Sequence, residues 1–275
     1  MLGGVAVSLL EDVNDNHEIP VVTGITRKSK PRITQSRQST LITVETSGLV
    51  CGANALAVQK DCQSRSAISQ PSLYVLNAAA LTKPHAVQHL TTDLTSYDID
   101  VAIITETHCK SKHSDSVLSV DGYVMYRRDR AGRRGGGVAL YVRTSIASAE
   151  WKHPGDDNAF ELHWVRVGEV FIAALYHPPK PIYRTEALLD YIEACVDELN
   201  RRFPTAPIVI AGDLNQLPDE DLVERTGLTQ IVRQLTRGAN VLDRVFVSCP
   251  VSTVQHCSSR DVSRKERPSG RRGVR

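Results

Sequence analysis

From Ser72 onward the chain alternates short apolar runs with turn-forming residues. Leu73–Leu76, Val101–Ile104, Val138–Val142, Phe160–Val167, Val170–Tyr176, Ile208–Ala211 and Val241–Val247 are each of strand length and rich in β-branched side chains. Only Gly168-Glu169 separates two of these runs. A two-residue turn opening on glycine predicts an antiparallel hairpin there. Two stretches follow a helical period instead. In the first, Val87, Leu90, Leu94 and Tyr97 recur at helical spacing, with Thr82 placed to cap and Pro84 in the first turn. In the second, Ala187, Leu188, Tyr191, Ile192, Cys195, Val196 and Leu199 form one stripe that ends at Arg201, Arg202 and Pro204. Many strands with two one-faced helices predict an α/β fold, a two-sheet α/β sandwich with helices covering the sheets.

The flanks differ from this texture. Residues 1–71 are rich in Ser, Thr, Gln and basic residues without a sustained period, and are expected to be mostly disordered. Residues 72–257 form the expected domain, and 258–275 a basic disordered tail. Between Arg260 and Arg275 seven basic residues stand against Asp261 and Glu266, which leaves the rest of the chain slightly acidic although the whole is +2. Overall charge therefore does not announce a nucleic-acid binder, and any such reading has to rest on local sites. With 41% apolar and 23% charged residues, the composition excludes a wholly disordered chain or a fibre. No run approaches the roughly 18 apolar residues of a membrane-spanning helix. Met1–Leu10 lacks the basic start of a secretion signal, and the six cysteines show no paired spacing, so a reducing compartment, nuclear or cytoplasmic, is expected.

Candidate chemistry gathers where the strand-like runs end. Glu106 follows Ile103-Ile104-Thr105. Asp213 and Asn215 follow Ile208–Ala211 and a glycine, and their spacing puts both side chains on one face of an extended segment. A carboxylate and an amide at a strand end suit a hard cation and a water held for attack. Asp243 shares one strand face with Val241, Val245 and Val247, while Arg244 shares the other with Leu242 and Phe246. Asn77 and Tyr176 each close an apolar run. Taken singly, Glu106 reads better as a solvated Glu and Asn77 and Tyr176 as structural residues, while an Asx turn accounts for Asp213 and an edge strand accounts equally well for Asp243.

Their order along the chain changes the picture. Leu76-Asn77, Ile104-Thr105-Glu106-Thr107, Gly122-Tyr123, Tyr126-Arg127-Arg128-Asp129-Arg130, Arg134-Gly135-Gly136-Gly137-Val138-Ala139, Tyr176-His177-Pro178-Pro179, Ala211-Gly212-Asp213-Leu214-Asn215 and Thr236-Arg237-Gly238 before Leu242-Asp243 follow in one sequence. This set resembles the endonuclease/exonuclease/phosphatase superfamily, the DNase I-like fold, and within it the endonuclease domain of non-LTR retrotransposons. The resemblance spans residues 72 to about 250. It implies a Mg²⁺-dependent phosphodiesterase, with Mn²⁺ as an alternative ion, that nicks one strand of DNA. It further implies that Glu106 and Asn77 hold the metal and that Asp213 activates water. Asn215 would hold Asp213 and the phosphate, Tyr176 would donate to the phosphate, and Asp243 would pair with a histidine.

That histidine belongs to a Ser-Asp-His ending, and no such triplet follows Asp243. Only His256 lies downstream, in unrelated surroundings, and it reads as an ordinary strand-end residue. The Arg-rich ending without the family motif reads as a remnant of a mobile-element protein, with weakened or absent catalysis. Hydrolysis of small phosphate esters is the remaining reading. The cluster Arg127, Arg128, Arg130, Arg133 and Arg134 is placed either to contact DNA phosphates or to form a solvated hairpin loop.

Overall fold

In the computed structural model, residues 39–44, 71–156, 158–232, 243–248 and 251–257 are described. Among these residues, twelve strands and four helices follow in chain order. The first sheet takes β1 (Ser39–Val44), β2 (Ser72–Asn77), β3 (Val101–Thr105), β4 (Tyr123–Arg128), β5 (Val138–Arg143) and β12 (Val251–Cys257). The second takes β6 (Ser148–Trp151), β7 (Glu161–Val167), β8 (Val170–Tyr176), β9 (Ile208–Asp213), β10 (Thr229–Gln230) and β11 (Asp243–Val247). The helices are α1 (Ala86–Ser96), α2 (Asp115–Leu118), α3 (Thr185–Arg202) and α4 (Asp219–Thr226). Strand orders are β12-β1-β2-β3-β5-β4 and β10-β11-β9-β8-β7-β6.

Both sheets are mixed, and each has one parallel pair at its centre, β2 with β3 and β8 with β9. The inner faces meet in a common core, in which Leu73, Val75, Val101, Ile103, Val138 and Leu140 of one sheet face Val165, Ile172, Ala174, Val209, Ala211 and Val245 of the other. The outer face of the first sheet, Tyr74, Leu76, Ala102 and Ile104, is covered by Leu90 and Leu94 of α1. The outer face of the second, Phe171, Ala173, Ile208 and Ile210, is covered by Leu188, Ile192, Cys195 and Leu199 of α3. This is the two-sheet α/β sandwich that the apolar pattern predicts. Because the central strands are buried on both faces, they read as continuous apolar runs. The hairpin at Gly168-Glu169 forms as expected, with Val167 opposite Val170 and Gly168 at φ 56°.

Four features depart from the sequence reading. The strand β1 lies inside the segment expected to be disordered, paired to β2 on one side and β12 on the other. Its alternation Ser-Thr-Leu-Ile-Thr-Val is short, and what holds it is two neighbouring backbones. The rest of 1–70, and the tail 258–275, lie outside the described residues. Thr82 does not cap α1, which begins at Ala86 behind His85 in the left-handed conformation. The stripe of α3 starts at Leu188, since Ala187 is exposed. Finally, α4 carries one buried apolar residue, Leu222, in a run of charges, so it has almost no helical period to read. No described helix is long and apolar enough to cross a membrane.

Candidate active site

The parallel pairs at the two sheet centres run in register, Asn77 beside Thr105 and Tyr176 beside Asp213. Strand alternation turns Asn77, Tyr176 and Asp213 toward the space between the sheets, continuing the inner faces that carry Val75, Ala174 and Ala211. Loops leaving the carboxyl ends of such strands hold side chains on a rigid frame. Here they converge. The amide nitrogen of Asn77 donates to Glu106 Oε1 at 2.9 Å and to Asp213 Oδ2 at 2.6 Å, and its Oδ1 accepts from the backbone N–H of Ala79 at 3.0 Å. The Tyr176 hydroxyl donates to the same Glu106 Oε1 at 3.3 Å. Asp243 sits directly opposite Asp213 on the antiparallel neighbour β11, on the face of Val245 and Val247 as its alternation predicts.

Burial grades these groups. Asp213 is fully buried, Asp243 is 2% exposed and Asn77 3%, while the Glu106 side chain retains 24% of its exposure. Glu106 is thus the carboxylate that meets solvent. Burial, and then the negative charges of Glu106 and Asp213, push the Tyr176 hydroxyl well above the usual tyrosine range, so it remains a proton donor at any physiological pH.

The local backbone is unusual around this point. Ala79, Ala80, Glu106, His108 and Asn215 all have positive φ, a conformation that costs energy for residues other than glycine and gathers at functional sites. Gly212 explains one constraint directly. It pairs with Leu175 at φ 147°, and a Cβ there would collide with the Leu175 carbonyl oxygen. Only glycine lets β9 approach β8 closely enough to place Asp213.

The remaining expected residues are distributed unevenly. Asn215 holds Asp213 through its backbone N–H, which donates to Oδ1 at 3.2 Å, while its side-chain amide donates to the His177 carbonyl at 2.8 Å. The first of these bonds is the Asx turn at Asp213. Asp243 is not left without a partner, contrary to what loss of the Ser-Asp-His ending suggests. His256 lies in β12 opposite Thr40. The arginine cluster divides. Arg127 pairs with Asp115 and Asp129, Arg128 with Asp156 and Arg130 with Glu161, whereas Arg133 and Arg134 are exposed.

Several neighbours make contacts that the sequence does not announce. His108 brings Nε2 to 3.5 Å from Glu106 Oε2. Arg130 lies over the Tyr176 ring, 5.4 Å from its centre. Arg244 donates to the carbonyls of Asn215 and Leu217 and pairs with Asp219, fixing the turn after Asp213. His177 is buried against Tyr183, its ring nitrogen 3.1 Å from the hydroxyl. Burial, then Arg244, lower its basicity and keep it neutral. Arg130 and His177 stand in motif segments named above and Arg244 beside Asp243, whereas His108 has only its proximity to a strand end.

Among the described residues no group of three or more His, Cys, Asp and Glu side chains is arranged to hold a metal ion. The donors present nevertheless suit a small hard cation that retains most of its water. Such an ion asks for one or two protein oxygens, and Glu106 offers a carboxylate partly open to solvent beside the Asn77 amide.

A sandwich of two mixed sheets with acidic and amide side chains converging at the carboxyl ends of its central strands defines the DNase I-like class of α/β proteins. The Endonuclease/Exonuclease/phosphatase family model matches residues 58–263, most of the chain, and the protein belongs to that family. Among solved structures it is similar to an AP endonuclease from Archaeoglobus fulgidus (13% identity, 62% of this chain and 84% of that one, TM-score 0.45). It is also similar to the endonuclease domain of TRAS1, a telomere-specific non-LTR retrotransposon (14% identity, 68% and 96%, TM-score 0.46). A third similar structure is the AP endonuclease LMAP from Leishmania major (17% identity, 62% and 77%, TM-score 0.46). No curated protein sequence matches the chain.

Proposed function

We propose that the domain is a divalent-metal phosphodiesterase that nicks DNA, descended from a retrotransposon endonuclease and weakened by loss of its Ser-Asp-His ending. The observation that carries this reading is the Asn77 amide held between the carboxylates of Glu106 and Asp213, with Tyr176 on the same Glu106 oxygen. Glu106 and Asn77 would hold Mg²⁺ or Mn²⁺, and the ion would supply positive charge at the phosphate and its leaving oxygen. Asp213, buried and fixed by Asn77 and the Asn215 N–H, is oriented to accept a proton from an attacking water. Tyr176 remains protonated, and its hydroxyl, which rests on Glu106, would donate to the charge that accumulates on the phosphate. Asn215 and Arg244 keep the Asp213 turn in place. Exposed Arg133 and Arg134 are available to backbone phosphates of DNA, which charged side chains bind without reading sequence.

The retrotransposon assignment rests on the eight motif segments in order, including Arg134-Gly135-Gly136-Gly137 and Tyr176-His177-Pro178-Pro179. Incubation of supercoiled plasmid with the purified chain tests the proposal. Nicked circles are expected to form slowly with Mg²⁺ or Mn²⁺, not with EDTA, and not with Glu106→Ala. Metal-independent nicking, or nicking unaffected by Glu106→Ala, overturns it.

A further inference from the structure

The Arg-rich segment and its three glycines resemble a phosphate-binding loop in composition, but the structure spends one arginine differently. The Arg130 guanidinium is turned to groups of the protein itself, its Nε hydrogen-bonded and one terminal nitrogen held by charge alone. Nε and one terminal nitrogen meet Glu161 Oε1 at 2.6 and 2.5 Å, and the other terminal nitrogen donates to the Arg134 carbonyl at 3.3 Å. Its carbon stands over the Tyr176 ring. Glu161 in turn is the cross-strand neighbour of Tyr176 in the β7–β8 pair, and its second oxygen accepts from the Gly137 N–H at 2.5 Å.

The glycines pack on this ion pair. Gly135, Gly136 and Gly137 all have positive φ, and a Cβ on Gly136 would collide with both Glu161 and Arg130. One on Gly137 would stand 2.6 Å from Thr107 Oγ1. The loop is tied to the Glu106 strand end as well, since His108 N–H donates to the Gly136 carbonyl at 2.8 Å and Thr107 N–H to that of Gly137 at 3.2 Å. Lys110 closes the loop from outside, donating to the Arg130 carbonyl at 2.8 Å and the Arg133 carbonyl at 2.5 Å.

We infer that Arg130 and Glu161 are positioning residues. Their ion pair clamps the Tyr176 ring and the glycine loop together, so that the Tyr176 hydroxyl is held on Glu106. This rests on the reading of Tyr176 as a donor at the site. Arg130 then reaches the reaction through Tyr176 and not through DNA. Both side chains are only 12% exposed. A planar fork suits this task, because it binds the carboxylate in its own plane and presents a face to the ring; a lysine ammonium does neither together.

The test follows the Tyr176 hydroxyl without metal or DNA, so its outcome is separate from whether the chain cleaves anything. The full chain is labelled with 3-fluorotyrosine at its eight tyrosines, and the Tyr176 resonance is assigned by Tyr176→Phe. In the unmodified chain this resonance is single and shifts on Glu106→Gln, which changes the hydroxyl's acceptor. In Arg130→Met, and equally in Arg130→Lys, it broadens or doubles, and its response to Glu106→Gln falls at least about two-fold, as contacting residues are coupled. If Arg130→Met fails to fold, Arg130→Met/Glu161→Gln carries the test, because it leaves no lone buried charge. A single Tyr176 resonance with an undiminished response to Glu106→Gln overturns the inference. So does a change of the same size at Tyr74 and Tyr141, which would mark general loosening.

Discussion

Asn77 and Asp213 stand 136 positions apart on different sheets, yet the amide of one donates to the carboxylate of the other at 2.6 Å. This bond joins the two sheets at the mouth of the sandwich, and the same amide also restrains Glu106. Asn77→Ala removes a buried donor from two carboxylates at once. It is expected to destabilise the fold by about 1–3 kcal/mol, the cost of leaving buried acceptors unmade. Urea unfolding of the two proteins measures this, with an unchanged slope and a lowered midpoint as the expected pattern.

If Glu106 holds a cation, the folded chain binds it and the unfolded chain does not. Mg²⁺ at about 100 times its dissociation constant should add about 2.7 kcal/mol of stability, visible as a raised Tm that EDTA reverses. Glu106→Ala should remove the difference between the Tm in Mg²⁺ and in EDTA, although the Tm in EDTA should itself fall because Asn77 and Tyr176 lose an acceptor. An equal Mg²⁺ shift in Glu106→Ala would place the ion elsewhere.

Gly212 fills no space but sets a distance. Replacing it by Ala drives a methyl into the Leu175 carbonyl at a backbone angle that only glycine adopts easily. The expected cost is about 3 kcal/mol or more, seen by the same urea measurement. Ala at Gly168, which has open space around it, should cost about 1–2 kcal/mol from its positive φ alone.

The central strands were legible because burial on both faces makes them continuous apolar runs, and so were most of the residues that converge at their ends, because they follow such runs. Glu106 after Ile103-Ile104-Thr105 and Asp213 after Ile208–Ala211 are the clearest cases. What was not legible depends on partners distant in sequence. Strand β1 is short and held by backbones of β2 and β12, and β4 is half-buried along most of its length. The Arg130–Glu161 pair joins residues 31 apart, so nothing local separates it from Arg133 and Arg134, which face solvent. His108 enters the site through a turn whose positive φ no residue type announces.

His163 gives the fold a pH dependence of stability. It is buried in β7, and burial, then Arg128, lower its pKa from 6.5 to about 4. The unfolded chain therefore binds a proton in this window that the folded chain refuses. The resulting stability is fully present above pH 6.5 and is lost as pH falls toward 4, by about 3 kcal/mol in all. His177, displaced in the same direction, adds to it. Thermal scans at pH 7.5 and 4.5 should show a smaller drop in Tm for His163→Gln than for the unmodified chain, the difference being on the order of 5–10 °C. Equal drops would mean that His163 is protonated without strain.

Nicking by the unmodified chain should be slow, because the residues divide into two sets. Glu106, Asn77, Asp213 and Asn215 are brought together among the described residues, and nothing in the ending from Cys257 to Arg275 reproduces Ser-Asp-His. Loss of one donor to the developing charge typically costs 10² to 10³ in rate, about 3–4 kcal/mol, and loss of the pair at least as much. Metal binding, which relies on the first set, should survive that loss. A chimera carrying a Ser-Asp-His ending should therefore gain Mg²⁺-dependent nicking by about 10² or more with little change in its Mg²⁺-induced Tm shift. If the Tyr176 hydroxyl acts on charge that exists only in the transition state, Tyr176→Phe in that chimera should lower kcat more than KM. His256→Ala in the unmodified chain completes the set. It should leave residual nicking unchanged, and a fall of ten-fold or more (about 1.4 kcal/mol) would show that this histidine has taken over the phosphate contact.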